Sequence, residues 1–207
     1  MIYLIITTCI ENVKQGSRDF ESRKKRYFEA IPAVLKLVEN DASIKPIIVE
    51  NNGARSTYLN EFGCDVVYTN NNAHRFPHKG VNEWMDIKYI IEKYNIQDND
   101  TVIKLTGRYK LLSSSFIDTV KRHIDTYDAF VKFFNVCTLQ YMWDDCVLGL
   151  FAIKCKYIKS LTLRCIRSGE CEFAEHVRKN IVADKIMEIK DLCMECCFAI
   201  DGRFLIV

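Results

Sequence analysis

Four apolar, β-branched runs constrain this 207-residue chain more than any other feature. They are Ile2 to Cys9, Pro46 to Glu50, Cys64 to Tyr68 and Thr101 to Leu105. Each is short enough for a strand; the first reads as a buried one, and the others stop at turn residues. Helical spacing separates them: Tyr27, Phe28, Ile31, Val34, Leu35 and Val38 across 27–39, a short helix over 55–62, and Val81, Trp84, Met85, Ile87 and Ile91 across 81–94. Strand and helix alternating at these lengths predict an α/β fold, a mostly parallel sheet with helices on its faces. Ligands of such sheets bind beyond the carboxyl ends of the strands. Here those ends read Thr7-Thr8, Glu50-Asn51-Asn52, Thr69-Asn70 and Thr106 to Tyr109. All four are polar, which a purely structural sheet does not need.

The second half changes character. A helix is expected at 114–124, a strand at 129–134, a loop at 136–146, a strand at 149–153, a helix at 156–165 and an acidic helix from Glu170 to Val182. Short strands then close the chain at 187–189, 196–200 and 203–207, with a turn at Asp201-Gly202. No linker or repeat interrupts this order, so residues 1–207 read as one domain.

Lys and Arg number 29 against 27 Asp and Glu, a net charge of +2. That balance excludes a strong polyanion-binding field and argues against a nucleic-acid partner. No apolar run reaches the length of a membrane-spanning helix. The apolar start lacks a basic region and a cleavage site, so it reads as a strand rather than a secretion signal. The ten cysteines are scattered through apolar segments. Without a secretion signal they suit buried free thiols in a reducing, cytoplasmic compartment. Cys193-Met194-Glu195-Cys196 has the spacing of half a zinc site or a redox pair, but no second Cys/His pair follows; a strand using Cys as a small hydrophobe is the preferred reading.

The stretch Lys79-Gly80-Val81-Asn82-Glu83, a helix, the acidic turn Asp98-Asn99-Asp100 and the strand Thr101 to Leu105 resemble the GT-A glycosyltransferases. Gly149 to Lys154 resembles the acceptor-side strand of that family, and Glu170-x-Glu172 with its helix resembles the acidic motif that supplies a base in inverting members. The Lys-Leu-Thr-Gly-Arg-Tyr strand end, with Val-Glu-Asn-Asn-Gly upstream, is similar to GT-A-like proteins of large DNA viruses and surface-polysaccharide gene clusters. The resemblance implies a GT-A fold with a nucleotide-binding half over 1–110 and an acceptor half over 111–207. It further implies transfer of a sugar from a nucleotide-sugar donor to a glycan or small acceptor, in the host cytoplasm for a viral member.

One departure matters. The family ends this strand in Asp-x-Asp, which holds Mn²⁺ or Mg²⁺ on the donor diphosphate; here Thr106-Gly107-Arg108 offers no carboxylate. A guanidinium can take the cation's place, binding two phosphate oxygens and stabilising the departing nucleotide. Arg108 is therefore the leading catalytic candidate, and the cofactor reading stays open between Mn²⁺ or Mg²⁺ and transfer without a metal, with Asp144-Asp145 as the fallback metal site. His74 and His78 make a weak metal pair. Donor contacts are expected from Thr7, Thr8, Glu50, Asn51, Asn52, Lys79, Gly80, Glu83, Lys104, Thr106, Gly107, Arg108 and Tyr109, with Arg23, beside Arg18 and Arg26, as a diphosphate clamp. Tyr141, Trp143 and Asp144 suit the acceptor by sugar stacking and polar contact. Asp145, Glu172 or Glu175 would take the acceptor's proton. Glu172 and Glu175 also suit a solvated acidic face, and Asp86, one turn after Glu83, reads as solvent-facing. Two rivals remain: a sugar nucleotidyltransferase, which the single glycine of residues 9–19, Gly16, disfavours, and a silent carbohydrate- or protein-binding module on the same scaffold.

Overall fold

A computed structural model describes residues 1–11, 20–53, 55–74, 76, 79–134, 144–198 and 202–207. The elements run β1 (Ile2–Thr8), α1 (Phe20–Val38), β2 (Ile44–Glu50), β3 (Asp65–Tyr68), α2 (Lys79–Lys93), β4 (Thr101–Thr106), β5 (Lys110–Leu111), α3 (Ser115–His123), β6 (Ala129–Val131), β7 (Leu150–Lys154), α4 (Cys155–Ser160), α5 (Gly169–Asn180), β8 (Ile186–Glu188), β9 (Met194–Cys197) and β10 (Phe204–Ile206). Short 3₁₀ turns lie at Tyr58–Phe62, Asn71–Ala73 and Ala183–Lys185.

The main sheet has the order β3-β2-β1-β4-β7-β6-β8, and β7 alone runs against its neighbours. The four apolar runs are its first four strands. Successive side chains point to opposite faces of a strand. Leu4 and Ile6 of β1 accordingly join α1 and α3 through Ile31, Val34, Phe116 and Val120. Ile5, between them, faces α2 and α5 through Ile87, Ile91, Phe173 and Val177. Both faces are covered, which is why β1 carries almost no polar residue before its end.

Register sets the site. Thr8 stands opposite Glu50, Glu50 opposite Tyr68, and Thr7 opposite Thr106, so the polar strand ends lie level along one edge. A second sheet, β10-β9-β5, closes over the end of β4; its Leu111, Met194 and Cys196 pack into the α1-side core.

Several boundaries differ from expectation. Helix α1 begins at Phe20 rather than at residue 27, so Arg23 to Arg26 are helical. Strand β6 stops at Val131, and Phe134 takes a positive φ of 62° that ends extended pairing. Helix α4 stops at Ser160. The two-residue strand β5 was not foreseen: it exists only through its pairing with β9, more than eighty residues away. Cys196 and Cys197 are buried in β9 as small hydrophobes. Among the described residues no helix is long and apolar enough to cross a membrane.

Candidate functional site

The ends of β1 and β4 approach closely. Gly107 donates its N–H to the Thr7 carbonyl at 2.9 Å, and Thr106 donates to the Gly149 carbonyl at 2.8 Å. A methyl group on Gly107 would stand 2.9 Å from Thr8 Cγ2 and 3.1 Å from Tyr27 Cε1; one on Gly149 would stand 2.1 Å from Tyr109 Cε2. Glycine is needed at both places for backbone to meet backbone or ring.

Charge is concentrated at this junction. Lys104, 2% exposed, sends its ammonium to Glu83 at 2.8 Å, Thr106 Oγ1 at 2.6 Å and the Leu148 carbonyl at 3.1 Å. Its three donors are thereby used. Thr7 Oγ1 adds a 3.3 Å hydrogen bond to Glu83, whose side chain stays 32% exposed. Burial opposes the charge on Glu83, but the Lys104 ammonium outweighs it and holds the carboxyl below its usual range. Arg108 follows on the same strand end. Its guanidinium donates to the Cys197 carbonyl of β9 and lies 5.6 Å above the Tyr109 ring. Burial works against that charge too, while Tyr109, Tyr27 and Glu83 favour it.

Beside this junction a second network fixes the exit of β1. Glu50, fully buried, accepts from Thr8 Oγ1 at 2.7 Å, from the Ile10 amide at 3.1 Å and from Asn52 Nδ2. Burial pushes its carboxyl up despite these donors. Arg23 donates to the Cys9 carbonyl at 2.8 Å, and the Tyr27 hydroxyl accepts from the Cys9 amide at 3.0 Å. Glu50 and Arg23, expected on the donor, instead hold the backbone that leaves β1, because those amides and carbonyls lie within their reach. Arg26, 4% exposed, ties Glu195 at 2.7 Å to the Arg108 carbonyl at 2.7 Å, so it is no clamp either.

A third network centres on Asp86. It is fully buried rather than solvent-facing. Its carboxylate takes Thr69 Oγ1 at 2.6 Å, Asn71 Nδ2 at 2.7 Å and Asn51 Nδ2 at 3.0 Å. The reason is spacing: Asp86 falls between Glu83 and Ile90 on the inward stripe of α2, beside Ile87. Asn82, also inward, donates to the carbonyls of Asn71 and His74. Asp86, Asn71 and Asn82 are the residues that sequence reasoning missed, and that stripe was the signal for the two on α2.

The structure brings together Thr7, Thr8, Asn51, Asn52, Glu83, Lys104, Thr106, Gly107, Arg108 and Tyr109 around these strand ends. Lys79 and Gly80 open α2, where a methyl group on Gly80 would stand 3.8 Å from Leu148 Cδ2. The carboxylates of the second half lie otherwise. Glu172 accepts from the amides of Arg164, Ile166 and Arg167 at 2.6, 2.8 and 3.2 Å. Burial opposes its charge, yet these amides hold its carboxyl below the usual range. It is therefore a loop anchor and not a free base, and its 7% exposure rules out a solvated face. Glu175 pairs with Lys179 in a groove between α4 and α5 whose lining, from Ser160 to Asn180, includes none of the strand-end residues. Asp144 pairs with Arg167, which lowers its pKa, and Asp145 is 2% exposed. A guanidinium already answers the carboxylate of the fallback metal site, so that donor set does not fit a divalent ion; among the described residues no three His, Cys, Asp or Glu side chains group as metal ligands. Tyr141, Trp143, Arg18 and His78 lie outside the described residues.

No protein-family model and no curated protein sequence matches the chain. Solved structures do. A putative nucleotide-diphospho-sugar transferase from Desulfovibrio desulfuricans G20 superposes with a TM-score of 0.55 at 9% identity, over 91% of this chain and 79% of the other. TarS 1–349 from S. aureus gives a TM-score of 0.55 at 13% identity over 92% and 58%. A putative glucose-1-phosphate thymidylyltransferase from Bacillus anthracis gives 0.53 at 12% over 92% and 87%. With its central, mostly parallel seven-stranded sheet flanked by helices, the chain has a GT-A-type fold, similar to nucleotide-diphospho-sugar transferases in architecture.

Proposed function

We propose that this protein is a glycosyltransferase that uses a nucleotide-sugar donor, such as a UDP- or GDP-sugar, and grips the pyrophosphate with protein groups alone. The observation that supports this most is the end of β4. Where the fold's metal-dependent members carry carboxylates, this chain carries Thr106, Gly107 and Arg108, and Glu83, whose charge bears on Arg108, is paired with Lys104. A nucleoside diphosphate bound here would be held by the Arg108 guanidinium, with the Glu83 charge answered by Lys104. In transfer, the bond from the sugar's anomeric carbon to the phosphate oxygen breaks, and its electron pair leaves with the nucleotide diphosphate. Arg108 stabilises that charge. An acceptor hydroxyl forms the new bond and gives up its proton. With Glu172 spent on backbone amides and Glu175 paired with Lys179 in a separate groove, Asp145 is the remaining candidate to receive it.

A thermal-shift panel of nucleotide sugars tests this, because a ligand that binds only the folded state raises the midpoint by mass action. The expected result is a raised midpoint with one donor, unchanged in EDTA, and donor turnover that disappears in Arg108→Ala. A silent binding module responds to no donor. A nucleotidyltransferase forms nucleotide sugar from a sugar phosphate and a nucleoside triphosphate.

A further inference from the structure

Asp86 is a buried carboxylate answered by neutral donors. Thr69 and Asn71 bond its Oδ1 and Asn51 bonds its Oδ2. An ionised carboxylate only accepts. While Asp86 carries its charge, the Asn51 amide must therefore turn its NH₂ inward. Its carbonyl Oδ1 is then left buried, on a residue 3% exposed, with no hydrogen-bond partner among the described residues. Asn51 directly follows β2, at the strand edge where a nucleotide lies in the reading above. A buried acceptor without a partner is unfavourable, and a ligand that brings an N–H or O–H relieves it.

We propose that Asp86 is a positioning residue: it fixes Asn51 as a hydrogen-bond acceptor at the end of β2, so the site selects a nucleotide that presents a donor there. This rests on the nucleotide-sugar reading. The donor is a base N–H, of the kind uracil and guanine carry where cytosine and adenine carry a bare nitrogen, or a ribose hydroxyl. Protonating Asp86 reverses the arrangement. Its new O–H needs an acceptor, the Asn51 amide can rotate to supply Oδ1, and the NH₂ then faces outward as a donor. Burial pushes the Asp86 carboxyl up to about 6, with Glu83 one turn earlier on α2 adding to the rise, so the reversal falls in an accessible range. From β2, the end of β3 and the following 3₁₀ turn it is met by Asn51, Thr69 and Asn71, none of which ionises; Lys104 of β4 is engaged by Glu83.

The test is equilibrium binding of UDP, CDP and 2′,3′-dideoxy-UDP to the full chain at about pH 7.5 and about pH 5. The diphosphate is common to all three, so ratios of affinity cancel its own titration. N3-methyl-UDP, which lacks the base N–H and takes up no proton in this range, repeats the comparison, because cytosine N3 itself begins to protonate near the lower pH. The expected result at the higher pH is a preference for UDP over CDP of roughly 10- to 100-fold, the scale of one buried group left unpaired. That preference falls towards unity or reverses at the lower pH, and in Asp86→Asn, whose amide lets Asn51 turn either way, it is small and independent of pH. Equal binding of UDP and CDP with a pH-dependent loss for the dideoxy nucleotide also supports the proposal and assigns the donor to ribose. Equal binding of all three at both pH values, or a UDP preference that neither pH nor Asp86→Asn alters, overturns it while leaving the nucleotide-sugar reading intact. If Asp86→Asn fails to fold, the wild-type pH series decides alone. Binding of no nucleotide at all removes the nucleotide-sugar reading and this proposal with it.

Discussion

Replacing Lys104 with Met isolates the ion pair at the junction of β4 and α2. The Lys104 side chain is 3% exposed, and its ammonium joins Glu83, Thr106 Oγ1 and the Leu148 carbonyl. Met fills much of the same volume but donates nothing. Breaking one side of a buried pair costs about 3–5 kcal/mol. Glu83 keeps 32% of its side chain in solvent and the Thr7 hydrogen bond, which places this case at the lower end. A loss of about 3 kcal/mol lowers the melting midpoint of a domain this size by about 6–12 °C. Glu83→Gln made alongside should recover part of that loss, a coupling of about 1–3 kcal/mol, because the stranded charge is gone. The pH dependence has a definite sign. Glu83 is held below its ordinary value of 4.5, so its contribution is present above that value and disappears as pH falls through its lower folded value. The gap between wild type and Lys104→Met therefore narrows under acid. Urea unfolding of the four proteins of the cycle measures all of this. A cost under about 1 kcal/mol for Lys104→Met, with no coupling to Glu83→Gln, refutes a structural ion pair here and returns Lys104 to the free cations.

Gly149→Ala places a methyl group within 2.1 Å of the Tyr109 ring and should destabilise by roughly 1–3 kcal/mol, with Tyr109→Ala in the same chain restoring tolerance at position 149; an unchanged urea midpoint for the single variant contradicts the contact. Glu172→Gln removes the charge that gathers the amides of Arg164, Ile166 and Arg167, so hydrogen exchange at those amides should accelerate about tenfold or more while the amides of β1 and β4 keep their protection. Faster exchange in none of the three shows that Glu172 does not hold that loop.

The sheet was legible because Ile2 to Ile6 is apolar on both faces, as a doubly covered strand requires. The polar strand ends were legible for the same reason: Thr7, Asn51 and Thr106 stand out against what precedes them. What each end does was less visible. Lys104 read as a donor contact, yet its partner Glu83 lies across a strand-helix crossing that spacing alone does not reveal. Asp86 read as solvent-facing because an aspartate inside an apolar stripe is unusual; the donors that make it tolerable come from the ends of β2 and β3. Glu172 looked like a base because three backbone amides wrapping a carboxylate leave no mark in sequence. Arg26 merged with its basic neighbours until α1 was seen to begin at Phe20, which turns it towards Glu195.

Calorimetric titration of a nucleoside diphosphate and its monophosphate in excess EDTA, into wild type and Arg108→Ala, bears most directly on a pyrophosphate held without a metal. Wild type should prefer the diphosphate without any divalent ion, and Arg108→Ala should lose roughly 10- to 100-fold of that preference, the worth of a charged hydrogen-bond pair to phosphate. A diphosphate preference that appears only when Mn²⁺ or Mg²⁺ is restored, and that Arg108→Ala leaves untouched, contradicts it.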